Sequence, residues 1–316
     1  MARFLALTSR GLFDVLEMEL RDLGFETEKT RDGIYFESDW AGAYRTQLWL
    51  RTATRVIFPL TSFKAPDQNA LYDGVKAIDF SEWINPDQTL EVEANIRDSQ
   101  LKDQRYVALK TKDAIVDRFR EDTGVRPSVD KENPDLRVFI RVVRDVASVG
   151  IDLSGETLSR RGYRKAIVDA SLREHLAAAL VLMTGWRGDG PFYDPMCGSG
   201  TIAIEAALIK ANIAPGLFRK RFGFETLKNF DQEAWNQEVE KAISAEKEIE
   251  EISIFASDRS RDAIRSAQQN AEKAGVEEMI DFQLKSIEEL ENSYERGVVV
   301  ANPPYGERIG DSRFLI

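Results

Sequence analysis

The chain has 316 residues, of which 43% are hydrophobic, and its formal net charge is −11. This length predicts two or three domains, and no apolar run is long enough to span a bilayer. A single cysteine excludes an internal disulfide and favours a cytoplasmic location. One histidine and one cysteine leave little for a zinc or iron site, so we expect no metal. The acidic total does not indicate a nucleic-acid binder, although local basic patches matter more than the total.

Residues 1–64 are predicted to form a small α+β unit. Two strand patterns, at residues 4–8 and 33–37, are each followed by a helical pattern, over residues 12–23 and 41–57. Nothing in this part of the sequence indicates catalysis.

Residues 65–165 are predicted to form a second unit with a basic character. A strand at residues 89–94 precedes a helix at 108–119, and a hairpin is predicted from residues 136–153. Basic side chains gather on these elements, and beside a nucleotide-handling domain they favour a surface that follows a phosphate backbone over a set of solvated faces. The expected RNA contacts are Lys110, Lys112, Arg137, Arg141, Arg161 and Arg164.

Residues 166–316 alternate strand and helix patterns, which predicts an α/β domain with a parallel, doubly wound sheet. Ser171 begins a Ser-Leu-Arg-Glu capping box and is predicted to open a helix. The four predicted strands lie at residues 191–193, 252–257, 280–284 and 298–301. Ligands in such sheets bind at the carboxyl ends of strands, where Asp194, Asp258, Ser286 and Asn302 fall.

Two features interrupt this alternation. Residues 214–250 are charged and irregular before they become helical, which indicates an insertion. The sequence stops at Ile316, soon after the fourth strand, whereas a doubly wound domain normally continues there. We therefore expect C-terminal strands of this domain to be missing from the sequence.

The segment 194–201, Asp-Pro-Met-Cys-Gly-Ser-Gly-Thr, connects the first of these strands to a helix. Gly198 and Gly200 allow a sharp turn and a close approach of ligand to backbone. The helix that follows directs unpaired N–H groups and its positive dipole end at the turn. A nucleotide-like ligand is the favoured interpretation, and a purely structural turn is the alternative.

Asp258 narrows the identity of that ligand. A nicotinamide dinucleotide requires an acidic residue about 20 residues after the glycine pattern, whereas Asp258 lies much further along the chain. A carboxylate can accept hydrogen bonds from both hydroxyls of a ribose. Adenosine attached to an amino acid therefore fits better than a pyrophosphate.

The segment 302–305, Asn-Pro-Pro-Tyr, follows an apolar strand and indicates the chemistry. Two prolines stiffen the loop and remove two donors. The Asn302 side-chain oxygen and the Pro303 carbonyl can both accept from one –NH2 group, which directs the nitrogen lone pair at an electrophile. Tyr305 can stack on the ring that carries the amine. Such stacking contributes roughly 1–3 kcal/mol, comparable with the few kcal/mol that unstacking a base costs.

Both segments together resemble the class I S-adenosylmethionine-dependent methyltransferases that act on exocyclic amines of bases. More closely, the sequence is similar to the THUMP-domain ribosomal RNA guanine-N2 methyltransferases. The segments that carry this likeness are residues 152–156, 161–164, 194–201, 211–222 and 302–308. The resemblance implies three domains, namely a ferredoxin-like domain at 1–64, a THUMP RNA-binding domain at 65–165 and a Rossmann-like methyltransferase domain at 166–316.

The resemblance also implies a reaction and the residues that perform it. The cofactor would be S-adenosylmethionine, and the substrate the N2 amine of a guanine in large-subunit ribosomal RNA. The implied cofactor-binding residues are Asp194, Pro195, Met196, Cys197, Gly198, Ser199, Gly200, Thr201, Asp258 and Ser286. The implied base-binding residues are Asn302, Pro303, Pro304 and Tyr305. Family members usually have an aspartate where Ser286 stands, and a serine hydroxyl can still accept a hydrogen bond.

Three other functions stay open at this point. The same chemistry could act on transfer RNA or on an adenine N6 amine. A non-catalytic RNA-binding assembly protein with a vestigial domain is a second alternative. A nicotinamide oxidoreductase is disfavoured because the segment 302–305 has no task in one. Cys197 is expected in the cofactor turn and not as a nucleophile, and His175 as a structural contact and not a base.

Overall fold

The chain divides into two compact units. The computed structural model describes residues 1–164, 172–290 and 296–303. The first unit comprises Met1–Leu158 and Arg219–Glu240, and the second comprises Ser159–Phe218 and Lys241–Ile316. Residues 219–240 therefore leave the predicted 166–316 domain and fold with the N-terminal unit. The separation of that unit into domains at residues 1–64 and 65–165 stays a prediction.

The elements follow the chain in this order. The strands are β1 (Ala2–Leu7), β2 (Thr27–Lys29), β3 (Ile34–Ser38), β4 (Arg55–Lys64), β5 (Thr89–Arg97), β6 (Ser128–Val129), β7 (Leu136–Val143), β8 (Val146–Asp152), β9 (Phe192–Asp194), β10 (Ile254–Asp258), β11 (Ile280–Leu284) and β12 (Val298–Val299). The helices are α1 (Phe13–Asp22), α2 (Trp40–Trp49), α3 (Gln68–Lys76), α4 (Gln104–Thr123), α5 (Glu174–Met183), α6 (Thr201–Lys210), α7 (Gln232–Ser244) and α8 (Arg261–Lys273). None of the described helices combines the length and apolar character that crossing a bilayer requires.

An eight-stranded sheet forms the basis of the first unit, in the order β2-β3-β1-β4-β8-β7-β5-β6. Strand β7 shows why it packs well: Leu136, Val138, Ile140 and Val142 are fully buried, while the residues between them face the other side. This alternation follows from the pleat of a strand. The antiparallel pair of β4 with β8 makes one continuous sheet of strands from residues 1–64 and 65–152.

The predicted helix at residues 41–57 is wrong at its C-terminal end. Helix α2 stops at Trp49, and Arg55 already opens strand β4. The β-branched residues Val56 and Ile57 are buried in that strand, where such side chains pack favourably. Pro59 lies where the pairing of β4 with β8 shifts register, which is where a strand tolerates proline.

The inserted segment 219–240 contributes to the core of the first unit. The ring centroids of Tyr44 and Phe224 are 4.6 Å apart, and those of Phe224 and Trp235 are 5.1 Å apart. Arg45 Nε lies 2.8 Å from Oε2 of Glu238, which is 2% exposed. Of the predicted insertion at 214–250, residues 219–240 are therefore a structural part of the N-terminal unit.

We expect Phe224→Ala to lower the free energy of unfolding by about 3–5 kcal/mol, because it leaves a cavity among buried rings. Urea unfolding of the full chain measures the change. Val129→Ala is the matched control, since Val129 is 50% exposed and its loss should change stability by less than about 0.5 kcal/mol. An equal, small effect of both substitutions would show that the insertion does not support the core.

The segment 152–156, one of those that resemble the methyltransferase family, is held in place by main-chain contacts. The guanidinium of Arg219 donates to three carbonyl groups, those of Ser154, Glu156 and Thr157, at 2.7–3.1 Å. Gly223 passes so close that an added Cβ would lie 2.7 Å from the Asp152 carbonyl oxygen. The segment therefore serves the packing of the first unit.

The second unit contains a four-stranded, fully parallel sheet in the order β11-β10-β9-β12. Successive strands β9, β10 and β11 run outward in one direction, and β12 returns to the other side of β9. The strand order therefore reverses between β9 and β12. In open parallel sheets, ligands bind in the crevice beyond the carboxyl ends of the strands at such a reversal.

Helix α5 begins later than the capping-box pattern predicts. Its first residue is Glu174, and its N-cap is Arg173, which makes no side-chain capping hydrogen bond. The prediction that the helix opens immediately after Ser171 is therefore wrong. Ser171 itself lies outside the described residues.

Candidate cofactor and base site

The turn between β9 and α6 contains two glycines with different tasks. Gly198 and Gly200 both adopt left-handed backbone conformations, with φ of +52° and +79°. A Cβ added to Gly200 would lie 2.8 Å from Cβ of Ala267 on α8, whereas a Cβ added to Gly198 would meet no atom of the described residues within 4 Å. Gly200 thus permits close helix packing, and Gly198 faces open space.

Asp258 at the end of β10 lies directly beside this turn. The Gly198 N–H donates to Asp258 Oδ2 at 3.0 Å, and the Ser260 N–H donates to Asp258 Oδ1 at 2.8 Å. The Cys197 N–H donates to the Ser257 carbonyl at 2.9 Å. Asp258 is partly exposed, so its carboxylate keeps accessible lone pairs for a further donor. Gly198 and Asp258, which are 60 residues apart in the sequence and are predicted separately as cofactor-binding residues, are therefore in direct contact.

The Asp194 carboxylate is buried and has no ion pair with any described residue. Its side chain is 0% exposed, and neither oxygen has a hydrogen bond of standard geometry to the part of the chain that the structure describes. Burial raises the pKa of Asp194 to about 7, and the Asp258 charge raises it further, while the amides of Met196 and Ala203 partly lower it. A cationic ligand group would stabilise the ionised form.

Neither Cys197 nor His175 has the properties of a catalytic group. Burial, followed by the charges of Asp194 and Asp258, raises the pKa of the Cys197 thiol far above its usual value. Burial, with Arg161 and Arg173, lowers the pKa of His175 to about 4. At neutral pH the thiol is protonated and the imidazole is neutral, so these residues pack and do not react.

Strand β12 brings Asn302 to the same edge of the sheet. It pairs in parallel with β9, with Val299 opposite Tyr193, and the Val300 N–H donates to the Tyr193 carbonyl at 2.9 Å. Asp194 follows Tyr193 directly, and Asn302 follows Val299 by three residues. Asp194 and Asn302 therefore lie at the carboxyl ends of neighbouring strands, at the point where the strand order reverses.

The segment 302–305, which is predicted to bind the base, is described only as far as Pro303. Asn302 is partly exposed and Pro303 is exposed. Pro304 and Tyr305 lie outside the described residues. Their roles stay predictions.

Ser286 occupies a local cap after β11. Its hydroxyl accepts from the Glu289 backbone N–H, and its own N–H donates to Glu289 Oε2 at 2.8 Å. The Ser-x-x-Glu spacing of this capping box is readable in the sequence. The hydroxyl already has a partner, and contact of Ser286 with an adenine stays a prediction.

Two of the arginines predicted to contact RNA lie in the second unit and point inward. Arg161 is 1% exposed and its Nε lies 3.5 Å from Oε1 of the buried Glu205. The prediction of an RNA contact is wrong for Arg161, because a phosphate cannot reach a buried guanidinium. Arg164 is 19% exposed and pairs with Glu174 at 3.3 Å.

The remaining predicted RNA contacts lie in the first unit beside acids or aromatic rings. Arg137 pairs with Glu91, Arg141 with Asp32 and Lys112 with Asp113. Lys110 Nζ lies 4.6 Å from the Tyr72 ring centroid. A phosphate would have to compete with these carboxylates, and an RNA surface built from these residues stays a prediction.

One residue of the site region escaped the sequence interpretation. Glu205 is the only charged residue in α6 before its last position, and it is 0% exposed. A single acid in an apolar helix is a detectable signal, because a buried charge requires a partner.

The two glycines should respond differently to alanine. Gly198→Ala places a methyl group in the open space of the turn, so we expect cofactor affinity to fall at least about tenfold, with a stability loss near the 1–2 kcal/mol cost of left-handed backbone. Gly200→Ala should mainly lower the melting temperature, because of the clash with Ala267. Calorimetric titration and thermal unfolding of both variants test this, and identical behaviour of the two would contradict it.

Fold and site together define a Rossmann-like methyltransferase domain attached to a separate α/β unit. The profile of the UPF0020 family, described as RMKL-like methyltransferase domain, matches residues 161–316. The THUMP domain profile matches residues 65–152, and the RlmL ferredoxin-like domain profile matches residues 3–57. The chain belongs to the family of THUMP-domain methyltransferases that carry this combination.

The curated relatives are named as ribosomal RNA methyltransferases. The ribosomal RNA large subunit methyltransferase K/L of Photobacterium profundum is 41% identical over 100% of this chain. That of Syntrophotalea carbinolica is 42% identical over 98% of this chain. Each alignment covers 45% of the relative, so the chain spans about half the length of the curated relatives it matches.

Solved structures share the fold over nearly the whole chain. A predicted N6-adenine-specific DNA methylase from Listeria monocytogenes is 34% identical with a TM-score of 0.88, over 98% of this chain and 81% of that one. SMU.472, a putative methyltransferase crystallised in complex with SAH, is 30% identical with a TM-score of 0.89, over 98% and 82%. SAH is the demethylated product of S-adenosylmethionine.

Proposed function

We propose that this chain transfers the methyl group of S-adenosylmethionine to the exocyclic N2 amine of a guanine in large-subunit (23S) ribosomal RNA. One observation carries the proposal. Asp194 and Asn302 lie at the carboxyl ends of two neighbouring parallel strands, β9 and β12, between which the strand order reverses. Together with the turn at Gly198, these positions provide for a cofactor and an amine-bearing base at one edge of one sheet.

The residues of the turn fit the proposed cofactor. When bound, S-adenosylmethionine supplies an electrophilic methyl group on a sulfonium. The buried Asp194 carboxylate, which forms no ion pair with the described residues, suits a ligand with positive charge, and the open space at Gly198 admits a ligand against the backbone. Asp258 keeps accessible lone pairs for the ribose hydroxyls. The other cofactor contacts are assigned to Pro195, Met196, Cys197, Ser199, Gly200, Thr201 and Ser286.

We assign the binding of the target guanine to the segment 302–305. The Asn302 side-chain oxygen and the Pro303 carbonyl accept hydrogen bonds from the guanine amine, and Tyr305 stacks on the base, with Pro304 stiffening the loop. The N–C bond forms as the S–C bond breaks, and the amine then loses one proton to solvent. Positioning of the two reactants provides most of the rate increase, so no metal or strong base is required.

The choice of RNA rests on the first unit. The THUMP profile covers residues 65–152, which carry Lys110, Lys112, Arg137 and Arg141. We infer that this unit binds ribosomal RNA in the cytoplasm, where a chain with a single cysteine is kept reduced. The relatives at 41–42% identity are named for ribosomal RNA. The solved structure from Listeria monocytogenes, at 34% identity, is named as a predicted N6-adenine-specific DNA methylase. That name favours a second candidate function, methylation of an adenine N6 amine.

Transfer of a labelled methyl group from S-adenosylmethionine to protein-free 23S ribosomal RNA tests the proposal. Mass analysis of the nucleosides should identify N2-methylguanosine. Recovery of N6-methyladenosine would favour the second candidate, and a product only on transfer RNA would change the substrate. Failure of the full chain to bind S-adenosylmethionine would support a non-catalytic RNA-binding protein.

A further inference from the structure

A short segment, Arg161–Arg164, reaches the first two turns of helix α6 from inside the second unit. Arg164 Nη2 lies 3.4 Å from the hydroxyl oxygen of Thr201, the first residue of α6. The same nitrogen donates to the Leu172 carbonyl at 2.8 Å, and Arg164 Nε pairs with Glu174, the first residue of α5. One guanidinium therefore joins the start of α6 to the start of α5.

The other end of the segment holds α6 one turn further along. The Tyr163 hydroxyl donates to Glu205 Oε1 at 3.0 Å, and Arg161 Nε lies 3.5 Å from the same oxygen. Glu205 follows Thr201 by four residues, so both side chains lie on one face of the helix. Tyr163, Arg161 and Glu205 are each no more than 1% exposed, and burial raises the pKa of Tyr163, which keeps its hydroxyl a donor.

The backbone of the segment is shaped for this buried position. Gly162 has a φ of +103°, and a Cβ added there would lie 2.8 Å from the Phe218 carbonyl oxygen. The ring of Tyr163 meets Phe218 edge-on, with centroids 6.2 Å apart. The segment is thereby wedged between Phe218 and α6.

Helix α6 matters because its N-terminus closes the cofactor turn. Gly200 is its N-cap, and Thr201 follows directly, so the N–H groups of its first turn, which have no partner within the helix, point into the turn. A lateral displacement of this helix end would move Gly198 and its hydrogen bond to Asp258.

We propose that Arg164 is a positioning residue for the cofactor turn, with Tyr163 and Arg161 fixing the same helix through Glu205. This inference rests on the proposed function for the identity of the ligand. It replaces the RNA contact that the sequence suggested for Arg164. If Arg164 positions the cofactor turn, removal of its guanidinium lowers the affinity for the cofactor. If Arg164 contacts a phosphate, removal lowers the affinity for RNA.

The experiment compares Arg164→Gln, Arg164→Lys and wild type in the full chain. Calorimetric titration with SAH should give a dissociation constant about tenfold higher for Arg164→Gln, in the range that loss of an orienting partner produces elsewhere. Arg164→Lys should lie between the two, because lysine keeps the charge but not the fork. Arg160→Gln is the matched control, since Arg160 is exposed and directly precedes the segment, and it should stay within about twofold of wild type.

Two further measurements separate positioning from the other roles. Hydrogen exchange at the N-terminal end of α6, where the Ile204 N–H donates to the Gly200 carbonyl, should be faster in Arg164→Gln without any ligand. RNA affinity and its salt dependence should stay at the wild-type values. A salt slope reduced by about 1 with unchanged SAH affinity would show a phosphate contact and overturn the proposal. A lower melting temperature with unchanged SAH affinity and unchanged exchange in α6 would overturn it as well.

Tyr163→Phe guards against misfolding, since it removes a single hydroxyl and keeps the ring. It should raise the SAH dissociation constant and speed hydrogen exchange around Glu205. An unchanged constant and unchanged exchange would contradict the proposal that Tyr163 fixes α6 through Glu205. Absence of SAH binding to the wild-type chain would instead overturn the proposed function, and this inference with it.

Discussion

Asn302→Ala is expected to reduce methyl transfer by a factor of about 10²–10³ or more, in the range seen when one preorganised polar group of an active site is removed. The alanine has no acceptor for the guanine amine, so the nitrogen lone pair is no longer directed at the methyl group. Cofactor affinity should change by less than about twofold, because Asn302 follows β12 and the cofactor turn follows β9. Single-turnover transfer to 23S ribosomal RNA and calorimetric titration with SAH measure the two quantities.

Asn236→Ala is the matched control for this substitution, because Asn236 is exposed on α7, outside the site. Asn302→Asp is a second comparison: it retains an acceptor but adds a charge, and should recover part of the activity. Full activity of Asn302→Ala would remove this residue from the mechanism. An equal loss of SAH binding would show that the substitution damages the turn and not the base contact.

Asp194→Asn is expected to make the protein more stable at pH 8 and to weaken cofactor binding. The folded pKa of Asp194, about 7, lies above its ordinary value of 3.8. Below pH 4 the carboxyl is protonated in both states, and its contribution to stability is complete. Between pH 4 and 7 the unfolded chain ionises first, so stability falls as pH rises. Asparagine does not ionise, and should therefore stabilise the ligand-free protein at pH 8 by roughly 1–3 kcal/mol, given about 1.4 kcal/mol per pKa unit.

Binding should show the opposite effect. A cationic ligand favours the ionised carboxylate, so wild-type affinity for S-adenosylmethionine should rise between pH 6 and pH 8. Asp194→Asn should bind at least about tenfold more weakly at pH 8, with little dependence on pH. Urea unfolding at pH 5 and 8, and titration across this range, measure both effects. Asp189→Asn, an exposed substitution, is the control.

A pH-independent affinity of the wild-type chain would contradict the role of Asp194 as the receptor for positive charge. Lower stability of Asp194→Asn at pH 8 would mean that the carboxylate is needed by the fold itself. In that case the amides of Met196 and Ala203 would be its functional partners.

Local patterns were sufficient wherever one strand or turn dictates its own structure. The glycine turn after β9, the acid at the end of β10 and the parallel sheet all follow from short stretches, and the structure agrees with them. The helix predicted at residues 41–57 failed because strand β4 is specified by its pairing with β8, which begins 91 residues after Arg55. Such pairing leaves no trace in the local pattern.

The roles of the basic side chains were the least accurate part of the sequence-based prediction. A gathering of basic residues suggested a phosphate-binding surface, yet Arg161 is buried against Glu205, and Arg137 and Arg141 each face a carboxylate. The composition counts charges but does not state their partners. Those partners lie at least 44 residues away in the chain for each of the three arginines, so only folding brings them together.

The sequence by itself determined the family, the four strands of the parallel sheet and the glycine turn after β9, because glycine and strand-ending polar residues act through their own backbone. The tertiary structure decided that the segment 219–240 completes the N-terminal core, and that Asp194 is buried with no ion pair to any described residue. It also decided that Arg161 and Arg164 face inward toward α6. These properties depend on which distant residues exclude water from a side chain, and burial of that kind exists only in the folded chain.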